Sequence, residues 1–271
     1  MRNWYILLLL VNFFAACNTN NVTIDKTLEP FFTKNKVVGT FGIFNNSSGE
    51  FIIHNLSRFK DSAYLPASTF KIVNSLIGLE TGKIRDEKMI IPWDGVKRPI
   101  ADWNQDLTME QAFKASAVPY YQEVARRIGK DTMQYWLDSL DYGARYGRAV
   151  INTIDTFWLD NTIKITADEQ LGLVKKLYFD QLPFQKRSMR VVKDVMVMEN
   201  NANYTLAYKT GWARRENGRA LGWIVGWIVE DNHPHFFALN LDGPSNATRP
   251  EVRMEILKGI LKQLGYMQGR M

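Results

Sequence analysis

The chain has 271 residues, 46% hydrophobic and 13% aromatic, which is enough to bury a full core and too apolar for a disordered protein. Its net charge is +6, but the lysines and arginines are scattered rather than gathered in a stripe, which argues against nucleic-acid binding. One compact unit, or two lobes sharing a core, is expected. His54, His233 and His235 are the only histidines and Cys17 the only cysteine, so no metal site is expected, nor any disulfide.

Residues 1–17 read as a signal peptide: Arg2 precedes an apolar run from Tyr5 to Ala16, too short to span a bilayer but long enough for a signal core. Export to the periplasm is the expectation. Phe14-Ala15-Ala16-Cys17 resembles a lipobox, with Phe14 where an aliphatic residue is usual. A membrane tether through lipidated Cys17 and an ordinary signal that discards Cys17 both stay open. Asn18-Thr19-Asn20-Asn21 reads as a tether or an unstructured start, and residues 18–271 as the working domain.

Val38 to Phe44 and Glu50 to Asn55 are β-prone runs around the turn cluster Asn45-Asn46-Ser47-Ser48-Gly49, a hairpin. Helical patterning dominates from about 68 to 190, with segments at Phe70 to Leu79, Met109 to Ala115, Tyr120 to Ile128, Thr132 to Leu140 and Glu169 to Leu177. Three further strands follow, Tyr204 to Trp212, Ala220 to Glu230 and His235 to Leu241, with turns at Asn217-Gly218 and Asp231-Asn232. The middle one is apolar on both faces, so helices should cover both sides, with the tryptophans of the 220s as core packing. A last helix opens with Thr248 and Glu251 at capping-box spacing and Pro250 in its first turn, then sets Ile256, Leu257, Ile260, Leu261 and Leu264 on one stripe. The predicted fold class is α+β, a sandwich around an antiparallel sheet built from both chain ends, with an inserted all-helical lobe and a cleft between them.

Ser68-Thr69-Phe70-Lys71 puts a hydroxyl and an amine on one helical face. Spacing alone is weak, because Ser57-Arg58-Phe59-Lys60 has it too. The difference is context: Ile72, Val73, Leu76, Ile77 and Leu79 follow Ser68 as an almost wholly apolar helix, which would bury Lys71 and lower its pKa, whereas Lys60 sits between charged neighbours. A neutral amine can take a proton from Ser68, or combine with carbon dioxide into a carbamate. The alternative is that Ser68 merely caps a helix while Lys71 snorkels outward. Lys209-Thr210-Gly211-Trp212 on a strand and Ser116-Ala117-Val118 in the helical lobe tip the balance. They add a cation, two hydroxyls and a glycine for close backbone approach, the set an acyl-transfer site needs.

With these motifs the sequence resembles the penicillin-recognising serine enzymes, and among them the class D, or oxacillinase-type, β-lactamases. The match runs from about Thr40 to Gly265 and includes Pro66-Ala67-Ser68-Thr69-Phe70-Lys71, Trp93-Asp94-Gly95, Trp103-Asn104 with Asp106, Phe157-Trp158-Leu159, and Gly222-Trp223 through Gly226-Trp227. The resemblance implies hydrolysis of β-lactam antibiotics through an acyl-enzyme on Ser68, with Lys71 as a carboxylated lysine (N6-carboxylysine) acting as base. It needs no cofactor beyond carbon dioxide or bicarbonate. By the same resemblance Trp158 donates its indole N–H to the carbamate, and Val118 shapes an apolar neighbourhood favouring it. Ser116 relays a proton to the lactam nitrogen beside Lys209. Ser68 and Trp212 supply oxyanion-hole N–H groups, Thr210 and Gly211 line the substrate strand, and Arg253, rather than nearby Arg249, pairs with the substrate carboxylate. The family's Tyr-Gly-Asn stands here as Tyr142-Gly143-Ala144, which implies the loss of a polar group near the cleft and leaves substrate range and turnover open. A sensor domain that stays acylated and a cell-wall DD-peptidase share the fold. The first expects several membrane helices upstream and the second a Ser-x-Asn motif. The assembly is expected to be a monomer or a dimer.

Overall fold

The computed structural model describes residues 21–215 and 218–268; the signal segment, Cys17 and Asn217 of the expected turn lie outside them. From the N-terminal side run β1 (Val22–Ile24), α1 (Glu29–Thr33), β2 (Val38–Asn45), β3 (Glu50–His54) and α2 (Leu56–Asp61). The inserted lobe holds α3 (Lys71–Glu80), the ribbon β4 (Ile90–Ile91) and β5 (Leu107–Thr108) with α4 (Met109–Lys114) after it, α5 (Val118–Ile128), α6 (Lys130–Ser139), α7 (Ala167–Tyr178) and α8 (Lys186–Met196). The chain returns as β6 (Val197–Asn200), β7 (Thr205–Arg214), β8 (Arg219–Glu230) and β9 (His233–Pro244), and closes with α9 (Pro250–Gln263).

Seven strands make one sheet in the order β1-β3-β2-β9-β8-β7-β6, so both chain ends meet where β2 pairs with β9, Val38 opposite Asp242 and Asn45 opposite His235. The long strands are antiparallel, as the turns between them predict, but β1 runs parallel to β3, Val22 opposite Phe51. Neither β1 nor β6 is signalled by the sequence. Both are short edge strands, three and four residues long, whose pairing is set by the neighbouring strand rather than by their own patterning.

The two faces of β8 explain why the sheet is covered twice. Leu221, Trp223, Val225 and Trp227 belong to the core shared with the helical lobe, while Ile224 and Ile228 pack with Ile256, Leu257, Ile260 and Leu261 of α9. Each buried aliphatic side chain contributes on the order of 1.5–3 kcal/mol relative to exposure. Trp223 and Trp227 are core residues, and Trp223 Nε1 donates to Leu65 O at 3.0 Å. Gln111 caps α4 reciprocally with Thr108, and Glu169 caps α7 with Thr166. The capping box expected at Thr248 and Glu251 does not form. Arg249 is the N-cap residue, without a side-chain cap, and the Thr248 hydroxyl is engaged elsewhere. Among the described residues no helix is long and apolar enough to cross a membrane.

Candidate active site

Pro66 leads the chain into a tight turn, Ala67–Phe70, that runs directly into α3. Ala67 lies at φ +49°, a left-handed conformation that a non-glycine residue holds only where its surroundings impose it. Here its N–H is fixed on Trp158 O at 3.1 Å. Thr69 Oγ1 donates to Pro66 O at 2.8 Å and accepts from Gln170 Nε2 at 2.6 Å. Ser68 is therefore presented from a turn braced on both sides. One residue past that turn, Lys71 is completely buried, its Nζ 2.7 Å from Ser68 Oγ and 5.5 Å from the centre of the Tyr121 ring. Burial brings its pKa down to about 7, so near neutral pH much of the amine is uncharged and can accept the serine proton.

The second half of the site comes from the loop between α4 and α5 and from β7. Ser116 sits at φ +54° in that loop, where Trp103 Nε1 holds the preceding Ala115 carbonyl at 3.0 Å and Ala117 N–H returns to Ala112 O at 2.8 Å. Lys209 reaches it, with Nζ 2.9 Å from Ser116 Oγ, 3.2 Å from Thr210 O and 5.3 Å from the Phe113 ring centre. Burial, then the charges of Lys71 and Arg253, push the Lys209 amine well below its ordinary pKa. Because β6 pairs with β7 only as far as Ala207, the strand from Lys209 onward is free to lie against the Ser68 turn. Gly211 makes the approach feasible: a Cβ there would stand 2.9 Å from Pro66 O and 3.3 Å from Thr69 N.

Arg253, in the first turn of α9, is buried and threads over Gly222, where a Cβ would meet its Cδ at 2.7 Å. Its Nη1 donates to Gly211 O at 2.6 Å and Trp223 O at 3.2 Å, and burial lowers its pKa to about 10. Among the described residues none of Lys71, Lys209 and Arg253 forms an ion pair with a carboxylate. Three buried bases without counter-ions make a site that attracts an anion. Trp158, fully buried and stacked on Phe70 at 5.4 Å between ring centres, keeps its indole N–H without a hydrogen-bond acceptor. An unpaired buried donor costs about 1–3 kcal/mol, so its retention beside the Ser68 turn points to an acceptor supplied in the working enzyme.

The structure thus brings Ser68, Lys71, Ser116, Lys209, Gly211 and Arg253 together. Val118 opens α5 one turn before Tyr121, on the helix face that covers Lys71. Thr210 and Val118 are half-buried and Trp212 is 39% exposed, forming the open rim. Ser57 is exposed on α2, and exposed Arg249 donates to Asn246 O. Ala144 is exposed, in a hollow with Asp138, Asp141, Arg148 and Ile163. Gly143 and Tyr142 carry the constraint in that motif. A Cβ on Gly143 would sit 2.2 Å from Lys164 O, and Tyr142 packs edge-on against Phe70 at 5.5 Å. Sequence reasoning missed Tyr121, Gln170 and the contact from Trp212 Nε1 to Thr248 Oγ1 at 3.1 Å. No motif spacing signals any of these long-range contacts.

Among the described residues no group of three or more His, Cys, Asp or Glu side chains is arranged to hold a metal ion. Residues 32–262 match the penicillin-binding protein transpeptidase domain. The chain is 41% identical to the β-lactamase OXA-48 of Klebsiella pneumoniae over 239 residues, 88% of each chain. The crystal structure of the class D β-lactamase YbXI from Nostoc superposes with a TM-score of 0.83 at 36% identity, covering 89% of this chain and 99% of that one. The C-terminal domain of the Bacillus licheniformis BlaR penicillin-receptor superposes with a TM-score of 0.84 at 29% identity, covering 90% and 96%. With the transpeptidase-type fold, the Ser68–Lys71 pair at its centre and that degree of identity along most of its length, the chain belongs to the class D serine β-lactamases.

Proposed function

We propose that the protein hydrolyses β-lactam antibiotics through an acyl-enzyme on Ser68. The observation that carries this reading is a buried lysine with a pKa of about 7 placed 2.7 Å from the serine hydroxyl. Lys71 accepts the Ser68 proton as Oγ bonds to the lactam carbonyl carbon, and the oxyanion forms toward the backbone N–H groups of Ser68 and Trp212. The C–N bond of the ring breaks, and the departing nitrogen takes its proton from Ser116, which Lys209 orients and which is reprotonated in turn by the proton that Lys71 accepted, so that Lys71 is again a free base. Water, deprotonated from the Lys71 side, then attacks the ester carbonyl, and the C–O bond to Ser68 breaks with return of its proton. Arg253 and Lys209 attract the substrate carboxylate to the positive end of the site.

Lys71 also fits carboxylation by carbon dioxide, which requires a neutral amine and a partner for the resulting anion. The lowered pKa meets the first condition and the unpaired Trp158 N–H the second. Bound there, the carbamate supplies an anionic base for both acylation and deacylation. The same reading places the protein in the periplasm after export, with residues 1–17 as signal and either release or tethering through Cys17. It works on β-lactams without nucleic acid, as a monomer or a dimer.

The test is to mix purified protein with benzylpenicillin, with and without bicarbonate, and follow ring opening and intact mass together. Continuous turnover that rises with bicarbonate is expected. A stable one-to-one adduct without turnover would overturn hydrolysis in favour of a sensor.

A further inference from the structure

Two adjacent residues of β7 are gripped by one short segment. Arg253 holds the carbonyl of Gly211, and Thr248, completely buried, holds the indole of Trp212 by accepting its N–H at 3.1 Å. Thr248 is itself fixed, its hydroxyl proton directed to Ser245 O at 3.3 Å. Trp212 pairs with Gly222 and points to the α9 side of β7, the face that carries Arg253; with its one polar atom satisfied on the protein side, it presents carbon surface to solvent, 39% exposed, beside the strand edge that runs past the Ser68 turn. A half-exposed indole normally keeps its N–H in water and has several rotamers open to it. Here one rotamer is selected, and it turns the ring into a fixed apolar wall on the face of β7 that also carries Arg253.

We propose that Thr248 is a positioning residue for substrate selection. By locking Trp212 it makes the indole a platform for β-lactams with a flat, apolar acyl substituent, favouring them over those without one. This rests on the β-lactam reading above and deepens it. Offset aromatic stacking on a preordered ring contributes through binding, and the ordering cost that a free tryptophan would incur is removed in advance. Thr248 touches neither the nucleophile nor the base, so its influence belongs in KM rather than in kcat.

The experiment compares benzylpenicillin, which carries a phenyl group, with 6-aminopenicillanic acid, which carries none, on wild type, Thr248→Val, Thr248→Ser and Trp212→Phe. Thr248→Val keeps the shape and removes the acceptor. It is expected to raise KM for benzylpenicillin roughly 3- to 10-fold while kcat and the constants for 6-aminopenicillanic acid stay within about twofold. Thr248→Ser restores the wild-type ratio. Trp212→Phe, which has no N–H to hold, reproduces the preference loss by itself and makes Thr248→Val silent when the two are combined. Equal effects of Thr248→Val on both substrates, or an unchanged KM ratio in Trp212→Phe, would overturn the proposal, the second even if Thr248→Val fails to fold. Failure of wild type to hydrolyse either substrate is the separate failure of the β-lactamase reading.

Discussion

Ser57-Arg58-Phe59-Lys60 and Ser68-Thr69-Phe70-Lys71 offer the same side chains at the same spacing, eleven residues apart, and the fold treats them in opposite ways. In α2 the phenylalanine is the anchor: Phe59 is buried against Gly42, where a Cβ would stand 2.3 Å from its ring, and Ser57 is left in solvent. In the second segment the serine and lysine are buried as well, because α3 runs through the centre of the lobe with Ile72, Val73, Leu76 and Ile77 fully covered. The lesson is that a proton-transfer pair is made by desolvation. Spacing supplies contact, and only burial brings the amine toward neutrality.

The largest test of this contrast is Ser68→Ala, expected to reduce kcat/KM on the order of 10⁴-fold or more and to leave no covalent adduct by intact mass. Lys71→Met, which keeps the packing and removes the base, is expected to reduce acylation about 10²- to 10⁴-fold in single-turnover measurements. Trp158→Phe is expected to lower steady-state turnover about 10- to 100-fold and to raise the bicarbonate concentration needed for half-maximal rate. Its thermal midpoint should fall as well, because shortening a fully buried indole stacked on Phe70 leaves a cavity, so the shift in bicarbonate dependence is the readout that reports on the N–H. An unchanged bicarbonate dependence in the variant would break the assignment.

A fourth test is thermodynamic. Lys71 binds its proton more weakly folded, at about pH 7, than unfolded, near 10.4. Between these values the unfolded chain holds more protons, so stability rises with pH, by at most roughly 1.4 kcal/mol per pH unit from this group; below pH 7 the penalty is constant. Lys209 acts in the same direction. Denaturant titrations of Lys71→Met should show a shallower rise across pH 7–10. The smallest expected effect completes the comparison: Ser57→Ala and Lys60→Ala should leave kcat/KM within about twofold, and a larger loss would undo the claim that burial separates the two segments.

The main architecture is legible because its signals are local. Strict apolar filling of both faces of β8 and the stripe on α9 each predict their own covering layer, and the structure supplies both. Ser68, Lys71, Ser116 and Lys209 are recognisable because each lies in a short motif. What the sequence hides is whatever depends on where distant segments meet. Thr248 looks like a helix cap and is instead the acceptor for Trp212, since α9 starts one residue later and β7 passes within reach. The parallel edge strand β1 carries no alternation because three residues paired on one side need none.

The pairing of β2 with β9 has a kinetic meaning. Val38 cannot find Asp242 until nearly the whole chain is available, so the sheet is closed by its most sequence-distant contact. Topologies of this kind fold slowly, because loop-closure entropy is lost before the long-range pairing repays it. Lys209 and Arg253 stand on the C-terminal side of that closure and Ser68 on the other, so the site is whole only once this long-range pairing has formed.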